Sequence, residues 1–266
     1  MLILSPTPFV RRDKRQFSWY QRYSGFRHLL TTEVLSSPTG GRSLKEAHVL
    51  ILGAGNDTLG EDMIADGWTG GIVNTDWSEV VVSEMRKKYG DGRFKMAFDV
   101  ADVTSSAGLP YGDGSFDLVI AKGVVDSVLC SAGPIANIRT LMAETYRVLQ
   151  EGGSFFTVTY GNKDSRLVYY ENAGAEWWRG LSIFSIPKPP PLHFGFDFDE
   201  RYSRKPPHYF VIVAHKDGGI PSEGRPGCAG YGQSSNVDDV NMSTLSDRLH
   251  RSANEDASLN ISSATI

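Results

Sequence analysis

The segment VLILGAGNDTLGEDM, residues 49–63, decides the fold. Four apolar residues run into a Gly-Ala-Gly turn, and the chain then continues with the composition of a helix. A buried strand that ends in a glycine turn and feeds a helix brings backbone N–H groups close to a ligand, but it is also an ordinary way to turn a corner. The remainder of the chain has to decide between these two interpretations.

Length and composition are those of an ordinary globular protein. The 266 residues suffice for one large α/β domain or two small ones, and 40% of them are hydrophobic. A formal net charge of −4 argues against non-specific nucleic-acid binding, which needs a basic surface. No run reaches the roughly 18 apolar residues of a membrane helix, and we therefore expect no membrane association.

Two further features bear on the compartment. The N-terminus MLILSPTPFVRRDKR places its charges after a short apolar run, which is the wrong order for a secretory signal. Cys130 and Cys228 form neither a disulfide pattern nor a metal-ligand pattern, as expected in a reducing compartment. We predict a cytoplasmic protein without a metal site; a mitochondrial location is the less favoured alternative.

Strand and helix signals alternate along the middle of the chain. Helical spacing of apolar residues, or cap and stop signals, predict helices over 16–35, from the glycine turn to about Asp66, over 78–90, and over 133–153 with a Gly-Gly stop. Short apolar runs predict strands at 48–53, 71–77, 94–100, 116–121, 153–161, 181–187 and 207–216.

This alternation predicts an α/β fold that is Rossmann-like and doubly wound, with a mostly parallel seven-stranded sheet and helices on both faces. We expect the domain to span 16–216, preceded by a flexible extension at 1–15. The tail 217–266 is rich in Ser, Asn, Asp and Gly, has a single aromatic residue, and is expected to be disordered. The alternative for the tail is an interaction segment. The proline-rich stretch IPKPPPLHF, 186–194, is either a polyproline recognition segment or an insertion between the last two strands.

Three successive strand ends carry residues suited to a nucleoside. In open parallel sheets, ligands bind beyond the carboxyl ends of the strands. The first strand ends in the small residues 53–55, the second ends in Asp76, which can accept hydrogen bonds from ribose hydroxyls, and the third ends in Asp99 and Val100, which suit an adenine. Each feature alone also fits a plain turn or a helix cap. The three in order favour a nucleoside ligand.

The loop chemistry narrows the choice of nucleoside. The turn reads GAGNDTL, so that Thr58 stands where the dinucleotide fingerprint has its third glycine, and no GxxxxGK[ST] phosphate loop is present. These differences move the expectation from NAD and ATP to S-adenosylmethionine, whose amino-acid end needs only a short turn with free N–H groups.

At this point the chain resembles a known family. Residues 50–85 resemble the first two strand–helix units of the class I, seven-strand methyltransferases. More specifically, they are similar to the lysine methyltransferase-like branch that includes the elongation factor 1A and mitochondrial citrate synthase methyltransferases. The branch's loop Gly-Cys-Gly-Asn-Ser reads Gly-Ala-Gly-Asn-Asp here, and its Asn-Ile-Asp-Ile-Ser reads Asn-Thr-Asp-Trp-Ser. The stretches FSWYQRY, SFDLVIAKGVVDSVL and MAETYRVLQEGGSFFTVTYG match later parts of the family pattern.

The resemblance implies S-adenosylmethionine as cofactor and a set of residues around it. At the methionine end these are Gly53, Ala54, Gly55 and Asn56; at the ribose and adenine they are Asp76, Trp77, Asp99 and Val100. The resemblance also assigns Ala121, at the end of the fourth strand, to the cofactor site. Trp77 is either a residue that stacks on the purine or a partly buried core tryptophan.

The chain departs from the family pattern in two places. Where members carry an Asp at the end of the fourth strand, beside the transferred methyl group, this chain has Ala121. Members also carry an upstream Tyr-Trp segment that the first 15 residues lack. Candidate catalytic residues are Lys122, Asp126 and Tyr20, with Tyr160 as a further lining residue of an acceptor channel; Lys122 is alternatively a structural lysine.

Three functions compete at this stage. The first is methylation of a lysine in a protein substrate. The second is transfer involving a small amine of the polyamine type, for which the chain lacks a dense acidic cluster. The third is a methyltransferase-fold binding protein with weakened or lost catalysis, which Ala121 favours. The acceptor, the degree of methylation and the oligomeric state are not predicted.

Overall fold

A computed structural model describes residues 17–34, 43–90, 95–172, 178–189 and 208–216. All of them lie in the first of the two units into which the chain divides, Met1–Arg225. The extension 1–15 and the tail 217–266 lie outside the described residues, so the expectations for them, and the domain limits that depend on them, remain predictions.

The described residues form seven strands and six α-helices. The strands are β1 Val49–Leu52, β2 Ile72–Asp76, β3 Met96–Val100, β4 Phe116–Lys122, β5 Leu149–Thr159, β6 Trp178–Pro187 and β7 His208–Lys216. The helices are α1 Tyr23–Leu29, which continues as a π-helical turn Leu30–Val34, α2 Leu59–Ala65, α3 Glu79–Tyr89, α4 Val124–Leu129, α5 Pro134–Val148 and α6 Lys163–Asn172; a short 3₁₀ turn spans Leu44–Glu46. None of these helices is long and apolar enough to cross a membrane.

The strands form one sheet in the order β3-β2-β1-β4-β5-β7-β6. Pairing is parallel from β3 through β5, whereas β7 runs antiparallel to both of its neighbours. The predicted mostly parallel, seven-stranded α/β sheet is therefore confirmed. The strand order reverses between β1 and β4, and this is the position where open sheets of this kind bind ligands.

The central strands are buried on both sides. Every residue of β1 and β4 is buried, which explains why their sequences are apolar runs without alternation. Alternate residues pack into two separate clusters: Val49 and Ile51 join residues of α1 and α2, whereas Leu50 and Leu52 join residues of α5. The two clusters therefore pack against opposite sides of β1, the strand that ends in the glycine turn.

The first predicted helix begins later than expected. Periodicity predicted a helix over 16–35, but residues 17–22 are not helical and α1 begins at Tyr23. Tyr20 has a positive φ of 61°, which no helix accommodates. The carbonyl groups of Trp19 and Gln21 accept hydrogen bonds from the Lys122 ammonium group instead of from a following helical turn. A contact with a residue about a hundred positions away therefore overrides the local helical pattern.

The predicted Gly-Gly stop after the α5 helix was also wrong. The helix ends at Val148, and Leu149 already has extended backbone angles and pairs with Phe116 of β4. Gly152, with φ of 77°, lies inside β5, where the register between the two strands shifts. The two glycines therefore form an irregularity in a strand. The helices α4 and α6 were not predicted.

Candidate active site

The glycine turn leaves open space at the carboxyl end of β1. Gly53 and Gly55 have φ of 57° and 56°, values that side chains other than glycine rarely adopt. A Cβ atom on Gly53 would lie 2.6 Å from a methyl group of Val124, whereas a Cβ atom on Gly55 would meet no atom within 4 Å. Gly53 is therefore required for packing against α4, and Gly55 borders empty space that a ligand can fill.

Asp76 joins the end of β2 to this turn. Its two carboxylate oxygens accept hydrogen bonds from the N–H groups of Gly55 at 3.0 Å and Ser78 at 2.9 Å. Burial raises the pKa of Asp76, and the two backbone N–H groups partly counteract that increase. Each oxygen retains lone pairs, so the carboxylate can still accept hydrogen bonds from a diol such as ribose.

The residues predicted for the adenine end lie on the neighbouring strand. Trp77 is 57% exposed, which excludes the alternative of a core tryptophan, and Val100 is also exposed. Val100 pairs with Asp76 in the register of β2 and β3. The carboxylate of Asp99 already accepts a hydrogen bond from the Tyr111 hydroxyl at 3.0 Å and pairs with Arg86 at 3.3 Å. Asp99 is thus at the predicted strand end, but an adenine amine would have to share its oxygens.

Lys122 forms a buried cluster with the glycine turn and the N-terminal segment 17–22. Its ammonium group pairs with Asp57 and donates hydrogen bonds to the Ser18 hydroxyl at 2.6 Å and to the carbonyls of Trp19 at 2.8 Å and Gln21 at 3.1 Å. Burial lowers the pKa of Lys122, against the opposing effect of the Asp57 carboxylate. Four acceptors surround three N–H groups, so the ammonium group is saturated.

The same segment covers the glycine turn. The N–H group of Phe17 donates a hydrogen bond to the side-chain oxygen of Asn56 at 3.3 Å. Trp19 lines a cavity of about 20 Å³ together with Gly53, Ala54 and Lys122. Segment 17–22 therefore covers the methionine end of the predicted cofactor site.

Ala121 lies on the other face of β4. It is fully buried, and it packs in the cluster that contains Leu52 and α5. Its side chain therefore belongs to the core, away from the face on which Lys122 meets segment 17–22.

A second polar cluster centres on Asp126, near the beginning of α4. One carboxylate oxygen accepts hydrogen bonds from the Thr159 hydroxyl at 2.6 Å and from Arg166 at 2.8 Å. The other accepts from the Tyr20 hydroxyl at 2.9 Å and from the N–H group of Tyr160 at 3.0 Å. The structure thus brings together Tyr20, Asp126 and Tyr160, three separate candidates from the sequence.

These contacts fix the charge states of the cluster. Burial opposes ionisation of Asp126, but the hydrogen bonds from Thr159, Tyr160 and Arg166 outweigh it and lower the pKa of Asp126. Burial, followed by the charge of Asp126, raises the pKa of Tyr20, which stays a neutral phenol. The Tyr20 ring lies over the start of α4, since a Cβ atom on Gly123 would be 3.2 Å from it.

Several residues of these clusters were missed by the sequence analysis. They are Ser18, Asp57, Thr159, Arg166 and Tyr209, whose ring centroid lies 4.8 Å from that of Tyr20. Asp57 had a signal, because it replaces the serine of the family loop with an acid that can pair with Lys122. The others follow from contacts between distant segments, which no local pattern reveals.

A larger cavity lies at the opposite edge of the sheet. Its volume is about 380 Å³, and its lining includes His48, Gly71 and Lys95, which precede β1, β2 and β3. Ligands of open parallel sheets bind beyond the carboxyl ends of the strands, so we assign this cavity no part in the candidate site.

Comparison with known proteins identifies the class. A family model described as a methyltransferase domain matches residues 50–157, which include β1 to β5 almost completely. A methyltransferase chain in a solved complex with the Haloferax volcanii Trm112 methyltransferase activator shares the fold, with a TM-score of 0.51 at 17% identity over 75% of this chain and 91% of that one. Residues 50–157 therefore match a methyltransferase domain, a family whose cofactor is S-adenosylmethionine, and the chain shares the fold of the solved methyltransferase chain.

Two curated relatives are methyltransferases by name. The eEF1A lysine and N-terminal methyltransferase of Mus musculus is 33% identical over 153 residues, which are 57% of this chain and 20% of the relative. EEF1A lysine methyltransferase 4 of Mus musculus is 26% identical over 173 residues, 62% of either chain. The chain thus spans about a fifth of the first relative and about three fifths of the second. The chain is thus similar to proteins named as elongation factor 1A lysine methyltransferases, the branch that the resemblance implied.

The residues present fit the cofactor at its nucleoside end. Asp76 supplies a carboxylate with free lone pairs, and Trp77 supplies an exposed ring. Gly55 borders open space for the ligand, and any other side chain at this position would extend into that space. At the methionine end, Trp19 and the saturated Lys122 confine the free volume to the small cavity beside Gly53.

Proposed function

We propose that the protein transfers a methyl group from S-adenosylmethionine to a lysine side chain of a protein substrate. The observation that carries the proposal is the position of the Tyr20–Asp126 pair. It lies over the start of α4, and the first residue of α4, Val124, contacts Gly53 of the cofactor turn. A hydrogen-bonding group for an acceptor amine thus adjoins the turn that would hold the methyl donor.

The cofactor supplies the activated methyl group, and the protein supplies orientation and exclusion of water. Tyr20 uses its proton in the bond to Asp126, so its oxygen retains lone pairs that can accept a hydrogen bond from an acceptor amine. Asp126 is a poor base, because four groups already occupy its two oxygens and its pKa is lowered. We assign Asp126 the role of positioning Tyr20.

Lys122 is assigned a structural role. A catalytic lysine would need a free N–H group or lone pair directed at the substrate, whereas the ammonium group of Lys122 is surrounded by Asp57, Ser18 and backbone carbonyls. It holds segment 17–22 against the glycine turn. The structural alternative weighed for this residue is therefore the one that the contacts support.

The curated relatives suggest the first substrate to test. Both carry names that state lysine methylation of elongation factor 1A. We propose an elongation factor of this type, or another protein with an exposed lysine, as the acceptor. A polyamine acceptor is less favoured, because it is a polycation and the site offers it little negative charge. The carboxylate of Asp126 is already paired with Arg166.

The first test is cofactor binding. We expect calorimetry to show micromolar binding of S-adenosylmethionine and of its demethylated product, and Asp76→Ala to abolish it. Asp164→Ala is the matched control, since Asp164 is exposed and lies in α6, and it should bind as the wild type does. Absence of binding to the wild type would refute the proposal. Given binding, transfer of a labelled methyl group to purified elongation factor 1A, followed by mass spectrometry of its lysines, tests the substrate.

A second function is favoured by one observation. Ala121 replaces the acid that the family carries beside the transferred methyl group, so a methyltransferase-fold binding protein with weak catalysis is the competing proposal. Binding of the cofactor without transfer of a methyl group to any protein would favour it over the leading proposal.

We also infer that helices cover both faces of the sheet. Supporting this inference, residues of β1 at odd and even positions join different hydrophobic clusters, one with α1 and α2 and the other with α5. A cytoplasmic location remains a proposal that rests on the cysteine pattern.

A further inference from the structure

A lysine of the chain itself occupies the acceptor side of the candidate site. The Nζ atom of Lys188 lies 3.9 Å from the ring centroid of Tyr160 and 4.8 Å from that of Tyr209. Both distances are within the range of cation–π attraction. Lys188 follows the last residue of β6 and stands between two prolines, in the proline-rich stretch that the proposed function leaves unexplained.

The rings belong to a cluster of three tyrosines, Tyr20, Tyr160 and Tyr209. The centroid of Tyr20 lies 4.8 Å from that of Tyr209 and 6.3 Å from that of Tyr160, and Tyr160 and Tyr209 are 6.1 Å apart. The cluster remains open to solvent, because Tyr160 is 61% exposed. It is therefore an accessible set of aromatic faces that already holds one primary ammonium group.

The position of the tyrosine cluster follows from the sheet. Tyr160 comes directly after β5, and Tyr209 pairs with Ile186 near the beginning of the antiparallel strand β7. Both therefore lie at the edge where the parallel strands end, which is also the edge of the glycine turn. Asp126 fixes two members of the cluster, since it accepts hydrogen bonds from the Tyr20 hydroxyl and from the N–H group of Tyr160.

We propose that the tyrosine cluster is the binding site for the ammonium group of the acceptor lysine, and that Lys188 occupies this site until an acceptor displaces it. This inference rests on the proposed function, because it names the residues that recognise the acceptor of that reaction. The ring faces attract the charged form of an amine. The cluster therefore captures the protonated lysine, which loses one proton to the solvent at this open cluster before its nitrogen attacks the methyl group.

The local chain favours a fixed internal occupant. Pro187 and Pro189 restrict the backbone on both sides of Lys188. The Gln21 side chain donates a hydrogen bond to the carbonyl of Pro187 at 3.0 Å, which ties this stretch to segment 17–22. An occupant attached in this way acts at high effective concentration, so an external lysine has to compete with it.

The test is a titration with a lysine probe, Nα-acetyl-lysine methylamide, followed by NMR on the amide signals of Tyr160 and Gly161. The protein is saturated with the demethylated cofactor. Lys188→Met keeps the length of the side chain and removes the charge, and it should bind the probe about two- to fivefold more tightly than the wild type, the factor expected for one exposed cation–π contact. Lys188→Arg keeps a cation that stacks on aromatic rings and should not show this gain.

Two further variants test the rings and the charge. Tyr160→Leu in the Lys188→Met background should lose the gain; Tyr160 is exposed, so the fold should tolerate the change. A probe acetylated on its side-chain nitrogen has no charge and should not bind. Equal affinities of wild type and Lys188→Met, or a full gain that persists in Tyr160→Leu, would overturn the inference.

The outcome is separable from that of the proposed function. Cofactor binding, measured by calorimetry on each variant, should be unchanged by Lys188→Met and Lys188→Arg. Intact cofactor binding with no response to the lysine probe would reject the tyrosine cluster as acceptor site and leave the proposed activity standing. Failure of the wild type to bind the cofactor would reject the proposed activity.

Discussion

Replacing Lys122 by Met should destabilise the fold by about 3 kcal/mol and release segment 17–22. The side chains of Lys122 and Asp57 are only 6% and 12% exposed. Removal of one partner from a buried ion pair costs about 3–5 kcal/mol, because the remaining charge stays buried without compensation. We expect the lower end of this range, since the carbonyls of Trp19 and Gln21 lie in a partly exposed segment and can bind water once it detaches.

The free energy of unfolding can be measured by urea denaturation, with tryptophan fluorescence as the signal. Lys163→Met is the matched control: the same substitution removes an ion pair with Asp164 whose side chains are 49% and 55% exposed. Exposed pairs contribute about 0.2–1 kcal/mol, so this variant should remain close to the wild type.

Release of the segment has its own measurement. Trypsin cleaves after arginine, and Arg22 lies at the end of the segment that Lys122 holds. We expect cleavage there to be faster in Lys122→Met than in Lys163→Met under native conditions. If the two variants were equally stable and were cleaved equally fast, the saturated Lys122 cluster would not be what fixes this segment, and the structural role assigned to Lys122 would be wrong.

Three further outcomes are expected. Gly53→Ala should lower the free energy of unfolding more than Gly55→Ala, because both positions have positive φ but only the first adds a clash with Val124; Gly55→Ala should instead weaken cofactor binding in calorimetry. Asp126→Asn should be less stable than the wild type above about pH 5, and the difference should shrink in acid denaturation below about pH 4, since a carboxylate with a lowered pKa stabilises the fold only while it is ionised. Ala121→Asp should lower the free energy of unfolding by about 2 kcal/mol or more, because it places a carboxylate in the core. The measurement is the midpoint temperature of thermal unfolding, which should fall.

The central sheet was predictable because the sequence of each strand by itself indicates that the strand is buried. The strands β1 and β4 are apolar runs, and burial on both faces is the ordinary reason for such runs. Ser78 begins the helix that cap and stop signals predicted over 78–90, and its hydroxyl does accept a hydrogen bond from the N–H group of Val81 at the start of α3. The Gly-Ala-Gly turn and Asp76 were predicted to bind the same ligand, which stays a prediction, and the structure joins them by the hydrogen bond from the Gly55 N–H group to Asp76.

The acceptor side was not predictable in the same way. Tyr20, Asp126 and Tyr160 were selected one by one, but nothing in their spacing showed that a single carboxylate joins them. The irregular backbone at 17–22 depends on Lys122, and the register shift at Gly152 depends on pairing with β4. Such features arise from contacts across the sheet, and local periodicity reports only which face of an element is apolar.

Tyr20 links the polar cluster around Lys122 to the polar cluster around Asp126. Its backbone has a φ of 61°, a conformation that costs an ordinary residue about 1–2 kcal/mol. The residues on both sides of it, Trp19 and Gln21, are held through their carbonyls by Lys122, and its own hydroxyl is held by Asp126. Lys122 in turn pairs with Asp57 of the cofactor turn. The orientation of Tyr20 therefore depends on the loop that would hold the methyl donor. A substitution in that loop should change acceptor binding, and a substitution at Tyr20 should change cofactor binding.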